Sequence, residues 1–150
     1  MRKIMFMTGA VALLLVLTGC NGTKRTATNA AKVDRNLVEK YWKLIELYGN
    51  PVVYPVNFPK EAYIFFQIDG NRFYGDAGCN RILGSYQLTG GNRIILSPAA
   101  STMMMCIDMD VETKFLEVLK TADSYFVRND TLTLNRARMA PLARLVAVKK

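Results

Sequence analysis

From about residue 40 to the C-terminus, apolar positions recur mostly with a period of two, in short runs separated by turn-forming residues, the signature of half-buried strands. Trp42-Lys43-Leu44-Ile45-Glu46-Leu47 partly alternates and stops at the breaker cluster Gly49-Asn50-Pro51. Ala62 to Ile68 is aromatic and β-branched, meets Asp69-Gly70-Asn71, and resumes in Arg72-Phe73-Tyr74. An Asp-Gly pair between two such runs predicts a hairpin, because a type I′ turn needs positive φ at both central positions. Ser85–Leu88 and Arg93–Leu96 flank Thr89-Gly90-Gly91-Asn92, a second hairpin. Ser124–Arg128 and Thr131–Leu134 flank Asn129-Asp130, a third, and a last strand from about Leu142 to Val148 follows Pro141.

One segment changes period. Val111, Phe115, Val118 and Leu119 recur at helical spacing, which predicts a helix over Val111–Lys120. Asp108 and Asp110 stand where caps belong, Glu112 suits the positive end of the helix dipole, and Lys120 suits the other end. The fold class is therefore mainly β with one α-helix. Seven to eight antiparallel strands form a curled sheet or partly closed barrel, with the helix over an edge or an open end.

The N-terminus obeys a different pattern. Arg2 and Lys3 precede an apolar run from Ile4 to Leu17, followed by Thr18-Gly19-Cys20. A basic start, a short apolar core and a small-residue site describe a secretory signal, and the run falls short of the roughly 20 residues a spanning helix needs. Leu17-Thr18-Gly19-Cys20 resembles the lipobox of bacterial lipoproteins, in which cleavage precedes the cysteine and its sulfur carries a lipid. That resemblance implies a signal peptide over residues 1–19, a palmitate-type lipid on Cys20 and attachment to the membrane through it. Asn21, in place of an aspartate that would retain the protein at the inner membrane, points to the outer membrane, facing the periplasm. Residues 20–36 are small and polar and read as the lipidated cysteine and a flexible tether, with the folded domain over residues 37–150.

Export bears on the remaining chemistry. With Cys20 committed to lipid, Cys79 and Cys106 are left as a pair in an oxidising compartment. A disulfide is the expected outcome and two buried thiols the alternative. The bridge would close a loop of about 28 residues and contribute roughly 3–4 kcal/mol on a chain-entropy basis. Gly75, Gly78 and Gly84 around it would supply positive φ and close approach where the chain bends. The formal net charge is +8. Of 20 basic side chains, loss of Arg2 and Lys3 with the signal leaves 18 against 12 acidic ones. No long basic run accompanies that excess, so a solvated basic surface near anionic lipid is expected and nucleic acid is not a partner.

Several chemistries lack their residues. The chain has no histidine, which removes imidazole acid–base catalysis, His-dependent triads and the usual base for a catalytic cysteine. The glycines of GDAGCNRILGSY lack the GxxxxGK[ST] pattern and its lysine, so no phosphate loop is present. Asp69 and Asp76 could in principle pair at one hairpin, but the turn already explains Asp69. No enzyme activity and no cofactor are expected. The cluster Met103, Met104, Met105, Cys106 and Met109 is the one candidate metal set, since thioethers and a thiolate suit Cu(I). Methionines filling an irregular packing gap are the plainer expectation.

Taken together, Trp42-x-Leu44, Gly75-x-x-Gly78-Cys79-Asn80 with Gly84-Ser85-Tyr86, Thr102-Met103-Met104-x-Cys106, Glu112-x-x-Phe115-Leu116-x-x-Leu119 and Leu132-Thr133-Leu134 resemble the META/HslJ domain family from about Leu37 to Lys150. The resemblance implies a small antiparallel β-domain with one helix, often borne by bacterial envelope lipoproteins. It further implies links to heat shock and novobiocin resistance and, in trypanosomatid parasites, to virulence-associated proteins. The family carries no established catalytic residues. Met105 departs from its pattern, where a smaller residue such as alanine is common. The expected protein is a monomeric, non-enzymatic lipoprotein that binds an unknown periplasmic ligand or protein during envelope stress. Copper handling or protease-inhibitor-like partner binding are the alternatives.

Overall fold

The computed structural model describes residues 33–54 and 60–149. The signal sequence, Cys20 and most of the tether lie outside them. Ten strands and one helix follow one another as β1 (Tyr41–Leu47), β2 (Asn50–Pro51), β3 (Tyr63–Gln67), β4 (Arg72–Asp76), β5 (Arg81–Gly90), β6 (Arg93–Leu96), β7 (Ala100–Ser101), α1 (Asp110–Thr121), β8 (Ser124–Arg128), β9 (Thr131–Asn135) and β10 (Ala143–Val148). All pairings are antiparallel. Eight strands run in the order β10-β9-β8-β6-β5-β4-β3-β1, and β1 pairs back onto β10, so the sheet closes into a barrel rather than remaining partly open. Closure leaves no bare edge among these eight strands. The two short strands are additions, β2 on β1 and β7 on β5.

Alternation decides what faces inward. In β1 the buried positions are Trp42 and Leu44, then Leu47. A bulge between Leu44 and Glu46 shifts the phase by one residue, which is why Ile45 is exposed although it is apolar. The interior is filled by large side chains, Trp42, Phe66, Phe73 and Phe115 among them, with aliphatics such as Ile64, Ile82, Leu132 and Leu145. Helix α1 contributes Phe115, Val118 and Leu119 to that same core. The domain also begins earlier than the sequence pattern suggests. Asp34 accepts the backbone N–H groups of Leu37 and Val38, and its carboxylate accepts the Tyr125 hydroxyl at 3.0 Å. Residues 34–36 therefore belong with the fold.

Three local expectations are corrected. The β3–β4 connection is a four-residue loop with a 3₁₀ turn over Asp69–Asn71, because Gln67 pairs with Arg72; positive φ falls on Gly70 and Asn71 rather than on Asp69 and Gly70. Asp110 does not cap α1: Asp108 accepts the Asp110 N–H at 2.9 Å, whereas Asp110 lies inside the first turn and pairs with Lys114 one turn on. Of the three glycines near the bridge, only Gly78 has positive φ, at 114°. Gly75 and Gly84 are needed for space, since an added Cβ would lie 2.0 Å from the Tyr63 carbonyl oxygen and 2.4 Å from the Phe73 ring, respectively.

The β6–β8 seam is the thinnest in the barrel, with a single paired register position, Arg93 opposite Ser124. Asp123 reinforces it. Its carboxylate accepts the Ala137 N–H at 2.7 Å and the Ser124 hydroxyl at 3.0 Å, and Arg93 lies 3.5 Å away. The bond from Ala137 leads in holding this carboxyl below its usual range, with Ser124 and Arg93 adding to it. A depressed folded-state value stabilises the fold above the unfolded carboxylate pKa of about 3.9, and that contribution is lost as pH falls through the folded value. Urea midpoints measured at a series of acidic pH values should therefore fall less steeply below pH ~4 in Asp123→Asn than in the parent.

Candidate functional site

The loop from Ala77 to Asn80, between β4 and β5, is where most of the sequence motif converges. The structure bridges Cys79 and Cys106, with Cα atoms 6.1 Å apart. Cys79 is fully buried. Beside it, Asn80 joins three segments distant in sequence. Its side-chain carbonyl oxygen accepts the Met104 N–H and the Thr102 hydroxyl, both at 2.7 Å. Its amide donates to the Met104 carbonyl at 3.0 Å and to Glu112 Oε1 at 2.9 Å. Its backbone N–H donates to Glu112 Oε2 at 2.8 Å. The Asn80 side chain thus meets Met104 as a neighbouring strand would, through one donor and one acceptor, and both oxygens of Glu112 are engaged by the same residue.

Glu112 is the residue whose role the sequence reading missed. It lies on the apolar face of α1 with Phe115, Val118 and Leu119, and is 5% exposed. A charged residue at helical spacing with three core residues was the available signal. Proximity to the helix N-terminus still favours its charge, but its partners are on the β4–β5 loop. Asp76 is likewise buried: Oδ1 accepts the Gly78 N–H at 3.0 Å, and Oδ2 pairs with Lys60 at 3.2 Å. Asp69, at the other end of the β3–β4 hairpin, is exposed, so the two carboxylates do not form a pair. Among the described residues, no buried side-chain nitrogen or oxygen lacks a hydrogen-bond partner.

The other motif residues take structural places. The Trp42 indole donates to the Leu37 carbonyl at 2.7 Å from inside the core. The Tyr86 hydroxyl donates to the Gln67 carbonyl at 2.9 Å, and its ring meets Phe66 edge-on. Thr102, besides donating to Asn80, accepts the Arg81 N–H. Met103, Met104 and Met105 do not fill a packing gap, whereas Met109 is partly buried. Met103 and Met105 are 99% and 98% exposed, Met104 is half exposed, and Ile107 beyond them is fully exposed. Alternate side chains of this extended segment leave the surface, while the Met104 backbone is held by Asn80. With the bridge closed, Cys106 has no thiolate to offer a copper ion beside Met103, Met104, Met105 and Met109.

A cleft opens next to the staple on the outside of the barrel. Tyr41, Lys60, Glu61, Tyr63, Asp76 and Arg81 line a volume of about 330 Å³. The Tyr41 and Tyr63 rings stack at 4.0 Å between centroids, and Lys43 pairs with Glu61 at the rim. Burial first, and then the nearby tyrosine and carboxylates, push the Tyr41 phenol well above its ordinary range. Burial also raises Tyr63, helped by Asp76 and opposed by Arg81. Both phenols are thus held in the neutral form.

These features define a small, disulfide-stapled antiparallel barrel whose helix is locked to one inter-strand loop through a buried carboxylate. The chain belongs to the META domain family: the model for the META domain matches residues 35–149. A comparison with curated proteins finds no match. Among solved structures, an NMR structure of a protein from Burkholderia xenovorans is similar at a TM-score of 0.59 and 19% identity, covering 76% of this chain and 85% of its own. A DUF4847 family protein from Bacteroides vulgatus ATCC 8482 is similar at 0.58 and 16% identity, covering 76% and 96%. A further NMR structure is similar at 0.56 and 23% identity, covering 75% and 90%. At these identities the likeness concerns the fold.

Proposed function

We propose that this chain is a lipid-anchored, non-enzymatic binding module of the bacterial envelope, held to the outer membrane by Cys20 and serving the envelope under stress. The observation that carries this reading is the Cys79–Cys106 bridge at the centre of the Asn80 network. A structural disulfide belongs to an oxidising compartment, and the lipobox-like Leu17-Thr18-Gly19-Cys20 supplies the route there. The polar groups around the bridge are engaged with one another, which suits a scaffold better than a reaction centre. Binding then falls to the outer surface, where the cleft beside Asp76 lies.

The anchor is tested by Cys20→Ser. The parent protein should sediment with membranes and leave them only in detergent. The variant should lose the lipid and appear in the soluble fraction or as uncleaved precursor. Parent protein recovered wholly in the soluble cytoplasmic fraction would end this reading.

A further inference from the structure

The outer face between β1 and β5 carries aromatic surface that neither the core nor the staple uses. Strand register sets Tyr41, Phe65, Tyr74 and Leu83 directly opposite one another on β1, β3, β4 and β5. Four adjacent strands at about 4.8 Å spacing make this row roughly 14 Å long. The rings lie in two stacked pairs, Tyr41 on Tyr63 at 4.0 Å and Phe65 on Tyr74 at 5.1 Å, each within 30° of parallel. Tyr74 is 40% and Leu83 50% exposed. Tyr41, Tyr63 and Phe65 are half-buried beneath and beside them, and exposed apolar side chains grouped on an aromatic row outside a well-packed barrel point to an interaction site.

Charge narrows the occupant. Arg72 and Arg81 stand at opposite ends of the same face, Arg72 across from Ser85 and Arg81 across from Asp76. Both are exposed, and among the described residues neither guanidinium has an ion-pair or hydrogen-bond partner. At the Arg81 end the cleft presents Lys60 paired with Asp76, and Glu61 paired with Lys43. Such mixed signs disfavour a polymer with a negative charge on every unit, whose backbone needs a uniformly positive groove. They disfavour an anionic lipid surface for the same reason. They fit a chain rich in hydroxyl and amide groups with carboxylates at intervals. The carboxylates of such a chain pair with guanidinium forks, and its hydroxyls donate to Glu61, whose side chain is half exposed, while the buried Asp76 stays with Gly78 and Lys60. The C–H faces of its sugar rings lie on the electron-rich faces of stacked aromatics.

We propose that this face binds a strand of cell-wall glycan, with sugar rings on Tyr74 and the Tyr41–Tyr63 pair and the lactyl carboxylates of alternate sugars at Arg81 and Arg72. The proposal rests on the reading of the chain as an envelope binding module and names what that module holds.

The test titrates full-length protein in detergent with glycan strands freed of their peptides by an amidase, followed by calorimetry. Chitotetraose, which has the sugar rings without the carboxylates, and oligo(dT) serve as comparisons. The glycan strands should bind, and chitotetraose should bind several-fold more weakly. Tyr74→Ala should weaken strand binding roughly five- to tenfold, the order expected for removing one ring from a stacked contact. Arg81→Gln should weaken it and flatten its dependence on salt. Arg81→Gln, at an exposed and unpaired side chain, should leave the unfolding midpoint in place, whereas Tyr74→Ala also gives up the stack on Phe65 and should lower it by a few degrees. Strands that do not bind overturn the proposal, as does binding indifferent to both substitutions or exceeded by oligo(dT). Such failure in protein that still carries lipid on Cys20 leaves the anchor reading intact. Glycan binding by protein without the lipid removes the anchor reading alone.

Discussion

Asn80→Ala should destabilise the domain by roughly 3–5 kcal/mol, lowering the thermal midpoint by about 12–20 °C. The estimate follows from what the substitution strands. The Asn80 side chain makes four hydrogen bonds, two of them to the Met104 backbone and one to Glu112. Alanine fills none of them; Glu112 is buried and cannot recover its lost bond from water, whereas Thr102 and Met104 lie nearer the surface and recover part of theirs. A buried polar group without its partner costs about 1–3 kcal/mol, more where it is charged. Glu112 keeps the bond from the residue 80 backbone N–H, which limits its share. Differential scanning calorimetry of the variant checks the prediction. A loss below about 1 kcal/mol would mean that the network is decorative.

Removing the bridge through Cys79→Ser with Cys106→Ser should cost roughly 3–4 kcal/mol relative to the parent, the loop-closure contribution for this span. Guanidinium unfolding with and without reductant gives the same comparison without mutation. The two losses should not add. The bridge and Asn80 both hold the segment from Thr102 to Cys106 against the β4–β5 loop, and groups that share partners couple. Once the bridge is open, that segment can move away and Asn80→Ala has less to lose. The triple variant should therefore be more stable than the sum of the separate losses indicates, by about 1 kcal/mol or more. Strict additivity would show that bridge and network act on separate parts of the molecule.

Local structure was readable in the sequence because local forces set it. Alternation in Trp42–Leu47 and Arg93–Leu96, the turn residues Gly90-Gly91-Asn92 and Asn129-Asp130, and the spacing of Val111, Phe115, Val118 and Leu119 each depend on neighbours a few residues away. Closure of the barrel was not readable, because β1 and β10 lie about a hundred residues apart and each would read the same on an open edge. The inward Glu112 hid behind an equally sound local account, the helix dipole. Gly75 and Gly84 looked like turn glycines, since nothing local reveals that Tyr63 and Phe73 will press on them from neighbouring strands. Met103, Met104 and Met105 were misplaced because apolar composition suggests burial, whereas Met104 is fixed through its backbone and its neighbours project outward. The aromatic face escaped notice for a related reason: Tyr63-Ile64-Phe65-Phe66 is apolar on both sides of the strand, and only register with Tyr41 and Tyr74 shows which rings stack outside.

The proposed protein is an exported, lipid-bearing chain that carries a disulfide-locked META domain. Intact mass spectrometry of protein extracted from membranes under non-reducing conditions tests both halves at once. The predicted species begins at Cys20, carries the mass of a diacylglyceryl group with or without an added acyl chain, and lacks the two hydrogens that closing Cys79 to Cys106 removes. A species beginning at Met1, without lipid and with both thiols free, would contradict it.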